Sequence, residues 1–141
     1  MAINTSPIFT RIPNCPGVVI NAANTAGDGS GALFTVFTAA SDNSLLLKVV
    51  FTAAQATVGA SALKVMRVYM TDTSGANPIK IGEILLPLIT GSNTVIGATA
   101  TFTFTDGLPL KSGQIIKVSQ SIYASAADQT HAYAVGGDYT V

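Results

Sequence analysis

Two stretches near the middle of the chain limit its fold more than any others. In Leu45-Leu46-Leu47-Lys48-Val49-Val50-Phe51 the odd positions are all apolar, while the even row mixes Leu46 and Val50 with Lys48 and then Thr52. From Ala62 to Met70, the residues Met66, Val68 and Met70 alternate with Arg67, Tyr69 and Thr71. Alternation of period two places each row on one face of a strand. The two stretches read as strands packed at the centre of a sheet. Alone they cannot bury their apolar rows, so the remainder must supply partners.

The remainder reads as more strands separated by turn formers. Val18 to Ala22 is short and β-branched; Ala32 to Thr38 is rich in aromatic and β-branched residues. Between them, Asn24 to Gly31 is dense in residues that accept positive φ or bond their own backbone. In Ile79 to Leu86 the apolar row changes phase at Gly82, the signature of a β-bulge. Ala98 to Thr105 alternates strictly, with Thr99, Thr101, Thr103 and Thr105 opposite Ala98, Ala100, Phe102 and Phe104. Gly107 to Gly113 reads as a turn, Gln114 to Tyr123 as a strand, and His131 to Val135 as the last strand, closed by Gly136 and Gly137. Ala53 to Ala62 has helix-compatible composition but no apolar stripe.

The pattern predicts an all-β, single-domain β-sandwich, jelly-roll-like, with about eight antiparallel strands. Its expected core includes Leu47, Val49, Phe51, Met66, Val68, Ile84, Phe102, Phe104, Ile116 and Val118. Pro7, Pro13 and Pro16 remove backbone donors, so residues 1–16 are expected to be an extended N-terminal arm that contacts another chain. Residues 17–141 form the domain.

Composition narrows the function classes. The chain is 48 % hydrophobic and 10 % charged with zero formal net charge, against roughly 25 % charged in an average soluble domain. A surface so poor in charge favours association. Without a basic stripe it is not expected to bind nucleic acid. No run approaches the roughly 18 apolar residues of a spanning helix, so no membrane partner is expected. The N-terminus has no basic region followed by an apolar one, which predicts synthesis and folding in a cytoplasm.

Candidate chemistry is sparse. His131 is the only histidine, and with Asp128 and a serine it would need the geometry of a triad. No Gly-x-Ser-x-Gly elbow accompanies it, and a structural or interface role is the expectation. Cys15 is the only cysteine; it excludes an internal disulfide, and nothing nearby in sequence activates it. Gly27-Asp28-Gly29-Ser30-Gly31 lacks the acidic spacing of a calcium loop and the Gly-Lys-Ser/Thr ending of a phosphate loop. The aspartates at 28, 42, 72, 106, 128 and 138 all fall in expected turns. Tyr69, Tyr123, Tyr133 and Tyr139 could form a sugar-stacking platform, but strand aromatics usually pack. No catalytic residue, metal or cofactor is expected, and the chain is not expected to be an enzyme.

Several segments carry a resemblance. They are Asn21-Ala22-Ala23-Asn24-Thr25 with the glycine turn, Val36-Phe37-Thr38-Ala39, Met66-Arg67-Val68-Tyr69-Met70 and Glu83-Ile84-Leu85-Leu86-Pro87. Leu108-Pro109-Leu110-Lys111-Ser112-Gly113 and the ending Val135-Gly136-Gly137-Asp138-Tyr139 complete the set. In this order the chain resembles small all-β virion structural proteins of tailed bacteriophages, of the capsid decoration or auxiliary kind. The departure is on the outer strand faces, where related sequences often have Trp or a charge and this one has Ile81 or Thr. The resemblance implies a non-enzymatic protein that binds the capsid exterior and cements capsomers. Its partners would be the major capsid protein or other virion proteins. Its own association would be a homo-oligomer, a trimer before a dimer, and its synthesis would take place in the host bacterial cytoplasm. The alternative is a carbohydrate- or receptor-binding β-sandwich module on a tail or fibre. An exposed aromatic platform with Asp and Asn would favour that alternative; a broad apolar patch on one face would favour decoration.

Overall fold

The computed structural model describes residues 12–54, 59–60, 63–87, 89–91, 96–123 and 128–138. Among these are eleven strands: β1 (Ile12–Asn14), β2 (Gly17–Ile20), β3 (Phe34–Thr38), β4 (Ser44–Ala54), β5 (Gly59–Ala60), β6 (Lys64–Met70), β7 (Ile79–Leu86), β8 (Thr90–Gly91), β9 (Thr99–Leu110), β10 (Ile115–Gln120) and β11 (Gln129–Asp138). One sheet has the order β1-β11-β4-β9, with β2 also on β11; the other runs β3-β10-β6-β7. β5 and β8 form a separate two-stranded ladder.

β1 and β2 act as one edge strand. Ile12 pairs with Asp138 and Ile20 with Thr130, so the register on β11 never slips across Cys15 and Pro16. Counted that way, eight principal strands form four antiparallel pairs: β1/β2 with β11, β3 with β10, β4 with β9, and β6 with β7. This is a long hairpin rolled up so that successive pairs alternate between two sheets, the jelly roll. The all-β sandwich read from the sequence is therefore the observed architecture. β4 and β6 are interior strands as expected, but they lie in opposite sheets and face each other across the core. The boundary drawn between 1–16 and 17–141 falls inside the β1/β2 edge strand, and residues 1–11 lie outside the described ones. So do most of the residues between Ala53 and Ala62; β4 continues to Ala54.

Val49, Phe51, Met66, Val68, Ile116 and Val118 are fully buried between the sheets, with Ile20, Phe37, Leu46 and Leu86 beside them. Ile84, Phe102 and Phe104 are half-buried against this core. Leu47 is not in it: the side chain is 40 % exposed, and Leu46 is the buried leucine. The register explains the difference. Val135 and Gly136 are adjacent on β11 but pair with Lys48 and Leu46, so Leu47 is an extra residue in β4. The bulge moves the inward row from odd numbers to even ones.

A second bulge lies where the sequence placed it. Val68 pairs with Gly82 but Tyr69 with Lys80, leaving Ile81 unpaired. Gly82 is needed there for a steric reason, since a Cβ would overlap the Phe102 ring that packs from β9 across the sandwich. The Phe102 ring meets Phe104 edge to face, with centroids 5.2 Å apart at 74°. The expected turn at Gly107 to Gly113 begins later than expected. Gly107, with φ of 77°, ends a wide bulge, and Leu108 to Leu110 re-enter pairing with β4. Gly136 and Gly137 likewise continue β11, because β1 and β4 pair with them from both sides.

The connection from β2 to β3 folds back over the second sheet as a strap. Asn24 N–H donates to Gln120 O, and Arg67 Nη1 donates to Asn24 O. Farther along, Gly29, with φ of 94°, lies so close to Pro78 that a Cβ would collide with its carbonyl. Tyr69 belongs to the outward row of β6, yet it is fully buried on the face this strap crosses.

Leu46→Ala is expected to lower unfolding free energy by about 2–5 kcal/mol, and Leu47→Ser to change it by less than about 0.5 kcal/mol; urea titration checks both. Gly82→Ala should cost about 1–3 kcal/mol through displacement of the Phe102 ring, read in the same titration.

Candidate functional site

The two outer faces of the sandwich differ. The second sheet carries the strap and an ion-pair network in which Glu83 Oε1 accepts from Arg67 Nε at 3.1 Å and Lys80 Nζ at 2.9 Å. The Lys80 ammonium, with Arg67 contributing less, holds the Glu83 carboxyl below its ordinary range. The outer face of the first sheet has no such cover among the described residues. Its registered rows are Val19-His131-Thr52-Thr99, then Tyr133-Val50-Thr101, then Val135-Lys48-Thr103. Thr99, Thr101, Thr103, His131 and Tyr133 are exposed, with Val19 at 42 % and Tyr133 at 43 %. Val50 is buried although it points outward, between Tyr133 and Thr101. Lys48 is the single charged side chain in these rows.

This is a surface of hydroxyl and methyl groups with one phenol ring, the His131 imidazole and the Lys48 ammonium, and the threonine row lies where the alternation placed it. Such a surface loses little polar solvation when covered, because each Thr offers a methyl beside a hydroxyl that can exchange water for a new partner.

The loops joining the sheets at one end make a different environment. Ser112 N–H donates to Asp42 Oδ1 at 2.9 Å, Gln114 Nε2 to Thr71 O at 3.2 Å, and Ile115 N–H to Thr71 Oγ1 at 2.8 Å. An open cleft of 620 Å³ lies here, lined by residues including Asp42, Met70, Asp72, Leu108 and Lys111. Its carboxylates are already engaged. Asp72 accepts from the Ser74 hydroxyl and amide, the Ala76 amide and Asn77 Nδ2, which together pull its pKa down to about 2. Asp28 is lowered similarly by the hydroxyl and amide of Ser30. Both are turn aspartates of the kind the sequence indicated. Asp138 is not: it is buried in β11 and accepts from Ser44 Oγ.

At the opposite end is a group that the sequence did not announce. Lys64 and Asp128 are both buried, with Nζ 2.6 Å from Oδ1 and also 2.6 Å from Asp128 O. Thr130 Oγ1 at 3.4 Å and Gln120 Oε1 at 3.5 Å complete the shell, and Thr130 donates to Gln120 Oε1 at 2.8 Å. His131 faces outward while Asp128 faces Lys64, so the pair considered for a triad is not brought together. Only the placement of Lys64 at an inward position of β6, in phase with Met66 and Val68, could have signalled the cluster. Cys15 is exposed between two edge-strand segments. Of the candidate platform tyrosines, Tyr69 is buried, Tyr123 half-buried and Tyr133 exposed, and Tyr139 lies outside the described residues. Among the described residues no three His, Cys, Asp or Glu side chains come together as a metal site would require.

No family model and no curated protein matches the chain. Among solved structures it is similar to a chain in the structure of infectious bursal disease virus, Gt strain, at 19 % identity and a TM-score of 0.28. That alignment covers 96 % of this chain and 36 % of the viral one. At such a score the likeness is no evidence of shared fold or function.

Because folding depresses the Asp72 pKa, its contribution is complete above the ordinary carboxylate value near 3.8 and is lost as pH falls through about 2. The carboxyl carbon of Asp72 is expected to titrate with a midpoint about 2 by NMR. In Asn77→Ala, which removes one donor, the midpoint should move upward.

Proposed function

We propose that the chain is a non-enzymatic structural protein of a virion, and specifically a capsid decoration protein of a tailed bacteriophage that docks on the capsid exterior and cements capsomers. The observation that carries the reading is the neutral outer face of the first sheet, with Val19, Tyr133 and the threonines of β9 in registered rows and Lys48 as their one charge. A chain with zero formal charge and such a face gains more from a fixed neighbour than from solvent. The jelly roll is compatible with this role and with others, since viral capsid and lectin domains both use it. The resemblance to phage virion proteins supports the capsid role over the others. It also supplies the partners, the major capsid protein or other virion proteins, and a trimer as the association state.

Synthesis in the host bacterial cytoplasm followed by attachment to the particle fits this role, as do the scattered basic residues, which offer no track for nucleic acid. The carbohydrate-binding alternative wants an open aromatic platform. Tyr133 is exposed, but its registered neighbours are Gly17, Val50 and Thr101 rather than Asp or Asn, and Tyr69 is buried.

Thr101→Lys should leave the fold intact, because the position is exposed, and abolish attachment. A lysine here would have to be desolvated in a contact but costs little on a free surface. The expected result is an unchanged circular dichroism spectrum and melting temperature, with at least tenfold weaker co-sedimentation with particles of the encoding virus. Undiminished co-sedimentation of Thr101→Lys, or a wild-type chain that stays monomeric and never joins particles, would overturn the reading.

A further inference from the structure

We propose that Lys64 and Asp128 become joined by an amide bond that staples the two sheets, a modification independent of the function proposed above. Three observations lead to it. Lys64 opens β6 in one sheet and Asp128 directly precedes β11 in the other, so their side chains meet across the end of the core. Both are buried beside apolar strands: Lys64 is registered with Leu86, and Thr130 lies between Ile20 and Ala53. Gln120 Nε2, on the side chain whose Oε1 already touches Lys64 and Thr130, is a buried donor with no hydrogen-bond partner.

The chemistry needs nothing beyond these groups. Moving a proton from the ammonium to the carboxylate along the 2.6 Å contact removes two charges from the buried end of the core. It also produces the reactants for condensation, a neutral amine and a neutral carboxyl group. The Nζ lone pair then attacks Asp128 Cγ; the new C–N bond forms as the carbonyl π pair moves onto oxygen. Gln120 Nε2, which has no partner in the resting structure, would turn toward Asp128 to donate to that oxyanion. A proton leaves nitrogen through the Thr130 hydroxyl to the departing oxygen, the C–O bond breaks, and one water is released. Ammonium plus carboxylate gives amide plus water, with no oxidant, reductant or cofactor. Holding the partners in contact raises their effective concentration over that of free partners in solution. With one cysteine, the chain has no internal disulfide with which to fix its sheets.

Intact mass spectrometry of the folded wild-type chain, denatured only for measurement after storage at neutral pH, tests this directly. The expected mass is below that of the sequence by one water, about 18 Da. Digestion should yield one branched peptide joining the segments that contain Lys64 and Asp128. Lys64→Arg and Asp128→Ala should each restore the full mass, and Gln120→Ala should slow formation at least tenfold. A wild-type chain at full mass overturns the proposal, whether or not the variants fold. A deficit that maps to a succinimide at Asp28-Gly29 or Asp106-Gly107 overturns it equally.

Discussion

The backbone and side-chain groups of Asn24 fix the character of the whole surface. Its N–H bonds Gln120 O, its C=O receives Arg67, its Nδ2 reaches Ser30 O and Ala32 O, and its Oδ1 accepts from Ala26 N–H. Asn24 is 2 % exposed, so those groups would carry a full desolvation penalty if unpaired. The hub therefore holds the strap in one conformation against β6 and β10. A sandwich has two outer faces, and this interaction covers one with the protein's own chain. The other has no such cover among the described residues.

Charge is placed accordingly. Arg67, Lys80 and Glu83 are tied to one another on the strapped sheet, Asp42 and Asp72 cap loops, and Lys64 with Asp128 is withdrawn into the core. The rows of Thr, Val and Tyr stay nearly neutral. Surface ion pairs of this kind are worth little energetically. Their position matters more, since they leave the open face with Lys48 as the one charge in its rows.

Much of this was legible in the sequence, and the rest was not for identifiable reasons. Strict alternation gave the inward and outward rows of β9, because Thr and Phe differ enough to mark the faces. The phase change at Gly82 was visible for the same reason. The bulge at Leu47 was hidden, since three consecutive leucines look alike whichever of them is inserted. Pairing order was not readable either: β1 and β2 meet β11 at the other end of the chain, and alternation says nothing about which strands are neighbours. The Lys64–Asp128 contact spans 64 residues and depends on that order. An outward threonine row could be anticipated from the alternation, but its freedom depends on where the strap lies.

The sheet edges bear on the association proposed for the face. An edge strand exposes backbone groups that invite pairing with another chain unless it is interrupted. Among the described residues, all four edges of the two large sheets are interrupted. β1/β2 contains Pro13 and Pro16; β3 carries the extra residue Val36, where Phe37 pairs with Ile116 but Thr35 with Lys117. β7 has its bulge at Ile81, and β9 loses register between Thr103 and Leu108. Each interruption bends the strand and removes the long, flat ladder that open-ended sheet growth requires. Edge-to-edge growth adds strands without limit, whereas docking on one face uses a single patch and closes. With the edges bent and the second sheet strapped, the surface suited to a specific, saturable contact is the outer face of β11, β4 and β9.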